Sequence, residues 1–158
     1  MIAWRITKRK YATRRAVLSG SGARETGGRW NEPGLPLIYA SENASLALLE
    51  TLVQTSVQRL PKNLVIVQIT IPENAESEAI SVDALPADWK SIGNPKCVAL
   101  GSAWQQAKRT LFLRVPSAVN PLESNLLLNP LHAGIRGCRV AKAIRLHFDP
   151  RLLSLLGG

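Results

Sequence analysis

The sequence is short of cysteine, of aromatics, of acids in its outer segments and of any long apolar run. Cys97 and Cys138 are its two cysteines, isolated from each other and without metal-ligand spacing. That argues against a disulfide scaffold and for a cytoplasmic chain with reduced thiols. No metal-site signature is present, and no metal is expected. The densest apolar stretch, Ala44 to Val53, is short and interrupted by Glu50, so a membrane span is not expected. The start, Met1-Ile2-Ala3-Trp4, turns basic at Arg5 without the apolar region or small-residue cleavage site of a secretory signal. Trp, Tyr and Phe number 4, 2 and 2, too few and too scattered for a base-stacking platform, and the usual nucleic-acid motifs are missing. Neither G-x-G-x-x-G nor a phosphate-loop lysine motif occurs in context, and Ser19-Gly20-Ser21-Gly22-Ala23 reads only as a flexible run.

What remains is a chain of 158 residues, 46% hydrophobic and 20% charged, which fits one soluble domain with a single core. Its formal net charge is +9 and its pI is near 10.3. Arg5, Lys8, Arg9, Lys10, Arg14, Arg15 and Arg24 all precede the first acid, Glu25. A second basic run holds Arg136, Arg139, Lys142, Arg145 and Arg151. Charge of this kind serves nucleic acid, a phosphate-bearing small molecule or an acidic protein partner. The missing motifs place the last two ahead of the first.

Period-two and β-branched patterns predict strands over Ile2–Thr7, Leu37–Ala40, Leu64–Ile71 and Leu111–Val115, with further strands over Ser124–Leu128 and Ala143–Phe148. A basic helical turn is expected near Ala12–Leu18, followed by a glycine-rich loop to Gly28. Ser41 or Asn43 should cap a helix running to about Val57, and Asn94 or Pro95 should open one to about Lys108. Glu73–Asp88 reads as acidic, irregular and exposed, His132–Gly137 as loop, and Pro150–Leu156 as a final helical turn. Strands and helices interleave without a βαβ rhythm. The expected fold is therefore α+β, a single domain over 1–158 with a bent mixed sheet flanked by helices.

Glu50 is the sharpest chemical signal. At helical spacing its neighbours are Leu46, Ala47, Val53 and Gln54, so the carboxylate projects from an apolar stripe and needs either a partner or a task. A structural ion pair with a core arginine is the alternative. Arg29 follows Gly27-Gly28, where the backbone can approach a ligand, and its planar fork suits pyrophosphate or carboxylate. Trp30 and Asn31 beside it read as an exposed aromatic and an amide with work to do, although Trp30 also suits a core. Tyr39 ends a strand just before the Glu50 helix, where its ring can stack on a base or pack. Ser117 sits where Val115-Pro116 ends a strand, a position for binding, since no G-x-S-x-G elbow surrounds it. Asn125, Asn129-Pro130 and His132 lie downstream; asparagine before proline ordinarily marks a turn, and His132 is a loop histidine.

Gly-Gly-Arg-Trp-Asn (27–31), Leu-Ile-Tyr-Ala-Ser (37–41), Leu-Ala-Leu-Leu-Glu (46–50), Val-Pro-Ser (115–117) and Asn-Pro-Leu-His (129–132) stand in the order found in RES-domain proteins, which the chain resembles over nearly its whole length. The Gly-Ser-Gly-Ala run (20–23), Trp89, Gly101 with Trp104, and Asp149-Pro150-Arg151 share the likeness. Ala133 and Ile135 depart from it, standing where the family often has proline and an aromatic. The resemblance implies a fold similar to ADP-ribosyltransferase toxins and a cytoplasmic type II toxin that degrades NAD by hydrolysis or phosphorolysis. It implies neutralisation by an Xre-type helix-turn-helix antitoxin, a homodimer within that complex, and DNA contact only through the antitoxin. NAD enters as substrate, with no other cofactor.

The family's name residues fall on Arg29, Glu50 and Ser117. By that resemblance Glu50 stabilises the oxocarbenium-like centre, Arg29 holds the pyrophosphate, and Tyr39 positions the nicotinamide ribose. Ser117 would bond the nicotinamide side, with Trp30, Asn31 and Asn129 completing the site. Two other activities stay open at this level. One is mono-ADP-ribosylation of a protein. The other is a ribonuclease, whose acid and base would have to come from His132 and His147.

Overall fold

The protein is described here by a computed structural model covering residues 1–54, 61 and 63–156. Its β-branched runs pair as the sequence pattern requires. β1 (Ile2–Lys8) and β3 (Leu64–Thr70) lie antiparallel, from Ile2 against Thr70 to Lys8 against Leu64. β2 (Ile38–Ser41) pairs β6 (Ser124–Leu128), which pairs β5 (Phe112–Pro116), both antiparallel. β4 (Ser77–Ala79) adds to β5 as a parallel edge strand. β7 (Arg139–Val140) and β8 (Ile144–Arg145) add to β3 at the opposite edge. The resulting mixed sheet has the order β4-β5-β6-β2-β1-β3-β7, with β8 also on β3. β1 and β2 share the single pair Trp4–Ser41, so the sheet is loosely joined at its middle.

Successive residues of a strand face opposite sides. Ile38, Ala40, Leu126 and Leu128 accordingly join Val67, Ile69 and Val17 in one core. Leu37, Leu127, Leu113 and Val115 join Trp30, Trp89, Cys97 and Trp104 in the other. Both faces being covered explains the consecutive buried apolar residues Phe112-Leu113 of β5 and Leu126-Leu127-Leu128 of β6. α1 (Arg14–Val17), capped by the Thr13 side chain, supplies Val17 to the first core. α4 (Pro95–Ala107) covers the second core, with Pro95 in its first turn and Asn94 Oδ1 accepting from the Lys96 and Cys97 amides. α3 (Ala44–Gln54) packs on β1 and β2, and α5 (Pro150–Leu156) closes the described chain. Asn43, not Ser41, caps α3: its Oδ1 accepts the Leu46 amide at 2.8 Å. The expected continuation of α3 to Val57 lies outside the described residues.

Three local expectations change. The supposed glycine loop contains α2 (Ser21–Thr26). Its glycines end the helix rather than loosen it: Gly20 and Gly27 carry φ values of 66° and 69°, which favour glycine. The acidic stretch 73–88 is not irregular throughout, because β4 and a 3-10 turn (Val82–Ala84) fall within it. The expected strand Ala143–Phe148 is a strand only at Ile144–Arg145, although the Leu146 amide still bonds the Leu64 carbonyl.

Candidate active site

β1, α3, the loop 27–31 and the turn after β5 surround a cleft of about 880 Å³. Arg29 and Glu50 both line it, so the cation and the carboxylate picked from the sequence open on the same space. Glu50 is half-buried, and α3 carries it there because Leu46, Ala47 and Leu52 bury the rest of that helix face. Its two oxygens have different surroundings. Oε1 accepts from the Ser117 hydroxyl at 2.7 Å and from Asn125 Nδ2. Oε2 has no protein donor among the described residues. No salt bridge involves Glu50 among those residues, so the ion-pair alternative is not what is observed.

Each donor to Oε1 is itself fixed. Ser117 is fully buried, and its oxygen accepts the amides of Val119 and Asn120, both at 3.1 Å. One proton and two lone pairs are all a hydroxyl has, so Ser117 is saturated and acts on Glu50. Asn125, on β6, accepts at Oδ1 from Ser41 at 2.7 Å, which turns its amino group toward the carboxylate. In the sequence Asn125 reads as an ordinary polar residue of a strand. Its only signal there was a position two residues into the strand after the Ser117 turn, and pairing with Ser41 across β2–β6 makes it part of the site.

The glycine loop is held just as firmly. The Tyr39 hydroxyl accepts the Trp30 amide at 3.0 Å and donates to Asn31 Oδ1 at 2.8 Å. Burial pushes this phenol up to about 12. A side chain at Gly28 would meet that hydroxyl 2.5 Å from its Cβ, so glycine is needed for the approach. Asn31 is 1% exposed and bonds the carbonyls of Ala23, Glu32 and Leu35. Trp30 is only 2% exposed, with its ring in the core under α4. The picture of an exposed tryptophan is therefore corrected, and Trp30 and Asn31 act as the loop's anchors. Asn129 is fully buried, bonds the Gln105 carbonyl at 2.6 Å and does not line the cleft.

Two guanidinium groups face the cleft. Arg29 Nη1 donates to the carbonyls of Trp89 and Ser91, at 2.8 and 2.9 Å, with its guanidinium near the Trp89 ring. That tie leaves Nη2 and Nε for an anion. Arg5, absent from the sequence-derived site, enters from β1 where β1 parts from β2. Its Nη1 donates to the Tyr39 carbonyl at 2.6 Å, while its buried Nε has no hydrogen-bond partner among the described residues. Burial works against its charge and lowers its pKa from the ordinary value. A half-buried guanidinium with a buried, unpartnered nitrogen in a cleft suits an anionic ligand. The signal was present in the sequence as an arginine inside a strand, but it was grouped with the basic run.

His132 caps the 3-10 turn Ala133–Gly137, its Nδ1 accepting the Gly134 amide at 3.0 Å. His147 is exposed, and neither histidine lines the cleft. Among the described residues no cluster of three or more His, Cys, Asp or Glu side chains is placed to hold a metal ion. Cys97 and Cys138 are free and buried, and burial raises both thiols.

This is an α+β protein with a carboxylate and two cations converging on one cleft, and comparison with known proteins gives it a family. The RES domain model matches residues 2–149, and the chain belongs to the RES-domain family. It is 38% identical over 153 residues to the Prs ADP-ribosylating toxin of Sphingobium sp. (strain YBL2), covering 95% of each chain. It is 29% identical over 123 residues to the NAD(+) phosphorylase MbcT of Mycobacterium tuberculosis (strain ATCC 25618 / H37Rv), covering 65% of this chain and 63% of that one. Its fold matches a chain in the crystal structure of the M. tuberculosis MbcT–MbcA toxin–antitoxin complex. That match has a TM-score of 0.71 at 23% identity, over 99% of this chain and 88% of that chain.

Proposed function

We propose that this protein, acting as a single RES domain, is a toxin that cleaves the nicotinamide–ribose bond of NAD and so depletes the cell's NAD. The observation that carries the reading is the division of labour on Glu50. One oxygen is pinned by Ser117 and Asn125, and the other is left for a ligand in a cleft that Arg5 and Arg29 also line. The names of the relatives, an ADP-ribosylating toxin and an NAD(+) phosphorylase, supply the substrate class.

The chemistry follows from those positions. Loss of nicotinamide from NAD turns a cationic leaving group neutral and moves positive charge onto the ribose. A fixed carboxylate beside that carbon stabilises the charge where it develops, as in glycoside hydrolysis. Because Ser117 and Asn125 already hold Oε1, little reorganisation is needed when the bond breaks. Arg5 and Arg29 take the pyrophosphate, and the Tyr39 ring forms the wall beside them while its hydroxyl holds the loop. The ADP-ribosyl fragment then passes to water, to phosphate or to a protein side chain, with Glu50 orienting the acceptor. No metal or additional cofactor takes part in these steps. The setting we infer is the cytoplasm, with an Xre-type helix-turn-helix antitoxin as the neutralising partner and a homodimer within that complex. Among the described residues no helix is long and apolar enough to cross a membrane.

The test is nicotinamide release from NAD by purified protein in buffer alone, with added phosphate and with added cell protein as acceptor, followed by mass analysis of the ribosyl product. Free ADP-ribose identifies water as acceptor, its 1″-phosphate identifies phosphate, and a mass increment on protein identifies transfer. Glu50→Gln keeps the shape and removes the charge, and should lower turnover by about 10²–10³-fold or more. Because Glu50 forms no ion pair here, its thermal midpoint should stay close to wild type. Absence of nicotinamide under all three conditions, with cellular RNA degraded instead, would refute the proposal.

A further inference from the structure

Two acid-free, strongly basic segments of this protein meet around β3 and the β7–β8 edge of the sheet. Residues 1–24 and 124–148 contain no Asp or Glu. Setting aside Arg5 in the cleft and Arg24 on α2, they contribute Lys8, Arg9, Lys10, Arg14, Arg15, Arg136, Arg139, Lys142 and Arg145. These nine equal the net charge of +9, and the eleven other Lys and Arg are balanced by the eleven acids.

The fold brings the two segments together. Lys8 pairs with Leu64 and Arg145 with Val65, while Arg139 pairs with Thr70 further along β3. The Arg9 amide bonds the Asn63 carbonyl. Arg14 donates to the carbonyls of Arg136 and Cys138 at 2.9 and 3.1 Å, which ties α1 across β7. All nine side chains are exposed, and none takes part in a salt bridge among the described residues. One or two lysines suffice to guard a sheet edge against pairing, so nine cations exceed that need.

Neither of the two cavities described lies at this edge. A dry protein interface is disfavoured, because nine like charges cannot be desolvated together. A wet, phosphate-rich surface has no such difficulty. Single strands bind through stacked aromatics, and Tyr11 on this edge already has Lys10 over its ring at 4.7 Å. Arg145 and Arg139 stand five residue steps apart along β3, about 17 Å, and leave the edge on opposite faces of the sheet. A duplex presents one charge per ~1.7 Å of axis, hence about ten over that length.

We propose that the β7–β8 edge, together with residues 8–15, docks on the phosphate backbone of duplex DNA without reading its sequence. This revises the expectation that DNA is reached only through a partner, and it is independent of the NAD chemistry. The experiment is fluorescence anisotropy of a labelled random-sequence 20-base-pair duplex, titrated with the full chain across a range of KCl concentrations. The charge-reversed pair Arg139→Glu with Arg145→Glu is compared with Lys96→Glu with Lys108→Glu, which changes net charge equally on another face.

Wild type should bind in the ~1–100 µM range near physiological salt. The edge pair should weaken binding at least tenfold and flatten the log–log salt slope by about 2, while the control pair changes affinity less than threefold. Nicotinamide release should be the same in both pairs and in wild type. If the charge-reversed edge pair melts early, Arg139→Gln with Arg145→Gln takes its place. Equal losses in edge and control pairs would overturn the proposal. So would tighter binding of a single strand, or displacement by poly-glutamate at lower charge concentration than by unlabelled duplex.

Discussion

Replacing Gly101 by alanine should disable the cleft from a distance. Gly101 lies in the middle of α4, where a Cβ would overlap the Trp30 carbonyl oxygen and stand 2.8 Å from its carbonyl carbon. Carbon atoms pack comfortably only from about 3.5 Å, so the Trp30–Asn31 peptide must move by something of order 1 Å. It has little room to do so. The Trp30 ring is packed beneath α4, the Trp30 amide is bound by Tyr39, and the Glu32 amide, two residues on, donates to Ser102 Oγ at 3.0 Å.

Overpacking of this kind costs about 1–3 kcal/mol, and a chain of this size loses roughly 2–4 °C of thermal midpoint per kcal/mol. The functional loss should be larger than the stability loss implies, since misplacing a positioned group by ~1 Å costs about 10²-fold. Arg29 is assigned to binding rather than to the bond broken, so the defect should fall mainly on KM for NAD. The assay is nicotinamide release against NAD concentration, at a temperature where a melt shows the variant fully folded. Ser102→Ala, which removes only the acceptor for Glu32, should produce a milder shift in the same direction, and Ser102→Thr should restore it. Wild-type KM together with an unchanged melting temperature in Gly101→Ala would refute the idea that α4 seats this loop.

The remaining predictions concern the groups around Glu50 and Tyr39. Ser117→Ala removes one of the two donors on Oε1 and strands two backbone amides; kcat should fall about tenfold, with stability reduced by ~1–3 kcal/mol in urea unfolding. Asn125→Ala should lower kcat similarly, and combining it with Ser117→Ala should approach the rate of Glu50→Gln. Arg5→Ala removes a cation whose Nε is unpartnered; KM for NAD should rise 10–100-fold, equivalent to about 1.4–2.8 kcal/mol of binding, with kcat changed far less. For Tyr39, the folded phenol titrates near 12, against about 10 in an unfolded chain. Above pH ~10 the unfolded tyrosine loses its proton while the folded one keeps it, which favours unfolding. Its contribution is therefore complete below pH ~10 and disappears as the pH rises toward 12, a loss of up to ~2–3 kcal/mol. The stability difference between wild type and Tyr39→Phe, measured by urea unfolding from pH 9 to 12, should shrink by that amount.

Much of this architecture could be read directly from the residues. β-Branched runs mark β1 and β3, Asn94-Pro95 marks the start of α4, and Glu50 stands out because its helical neighbours are apolar. These are local signals, decided within a turn or a strand by sterics, caps and side-chain period. The motif order from Gly27 to His132 carried the family, and with it Arg29 and Glu50 as partners in one cleft.

What the linear chain could not decide is how residues far apart share a neighbour. Ser117 and Asn125 meet Glu50 from 67 and 75 positions away, and no local pattern distinguishes Asn125 from any polar residue on a strand. Trp30 reads as exposed because its sequence neighbours are polar, whereas helix α4, arriving some 70 residues later, buries it. Two basic runs at opposite ends of the chain become one charged edge because β1, β7 and β8 take their places around β3. Propensity and period act between neighbours in sequence. Burial, hydrogen-bond partners and the local field depend on neighbours in space, and only the folded sheet determines those.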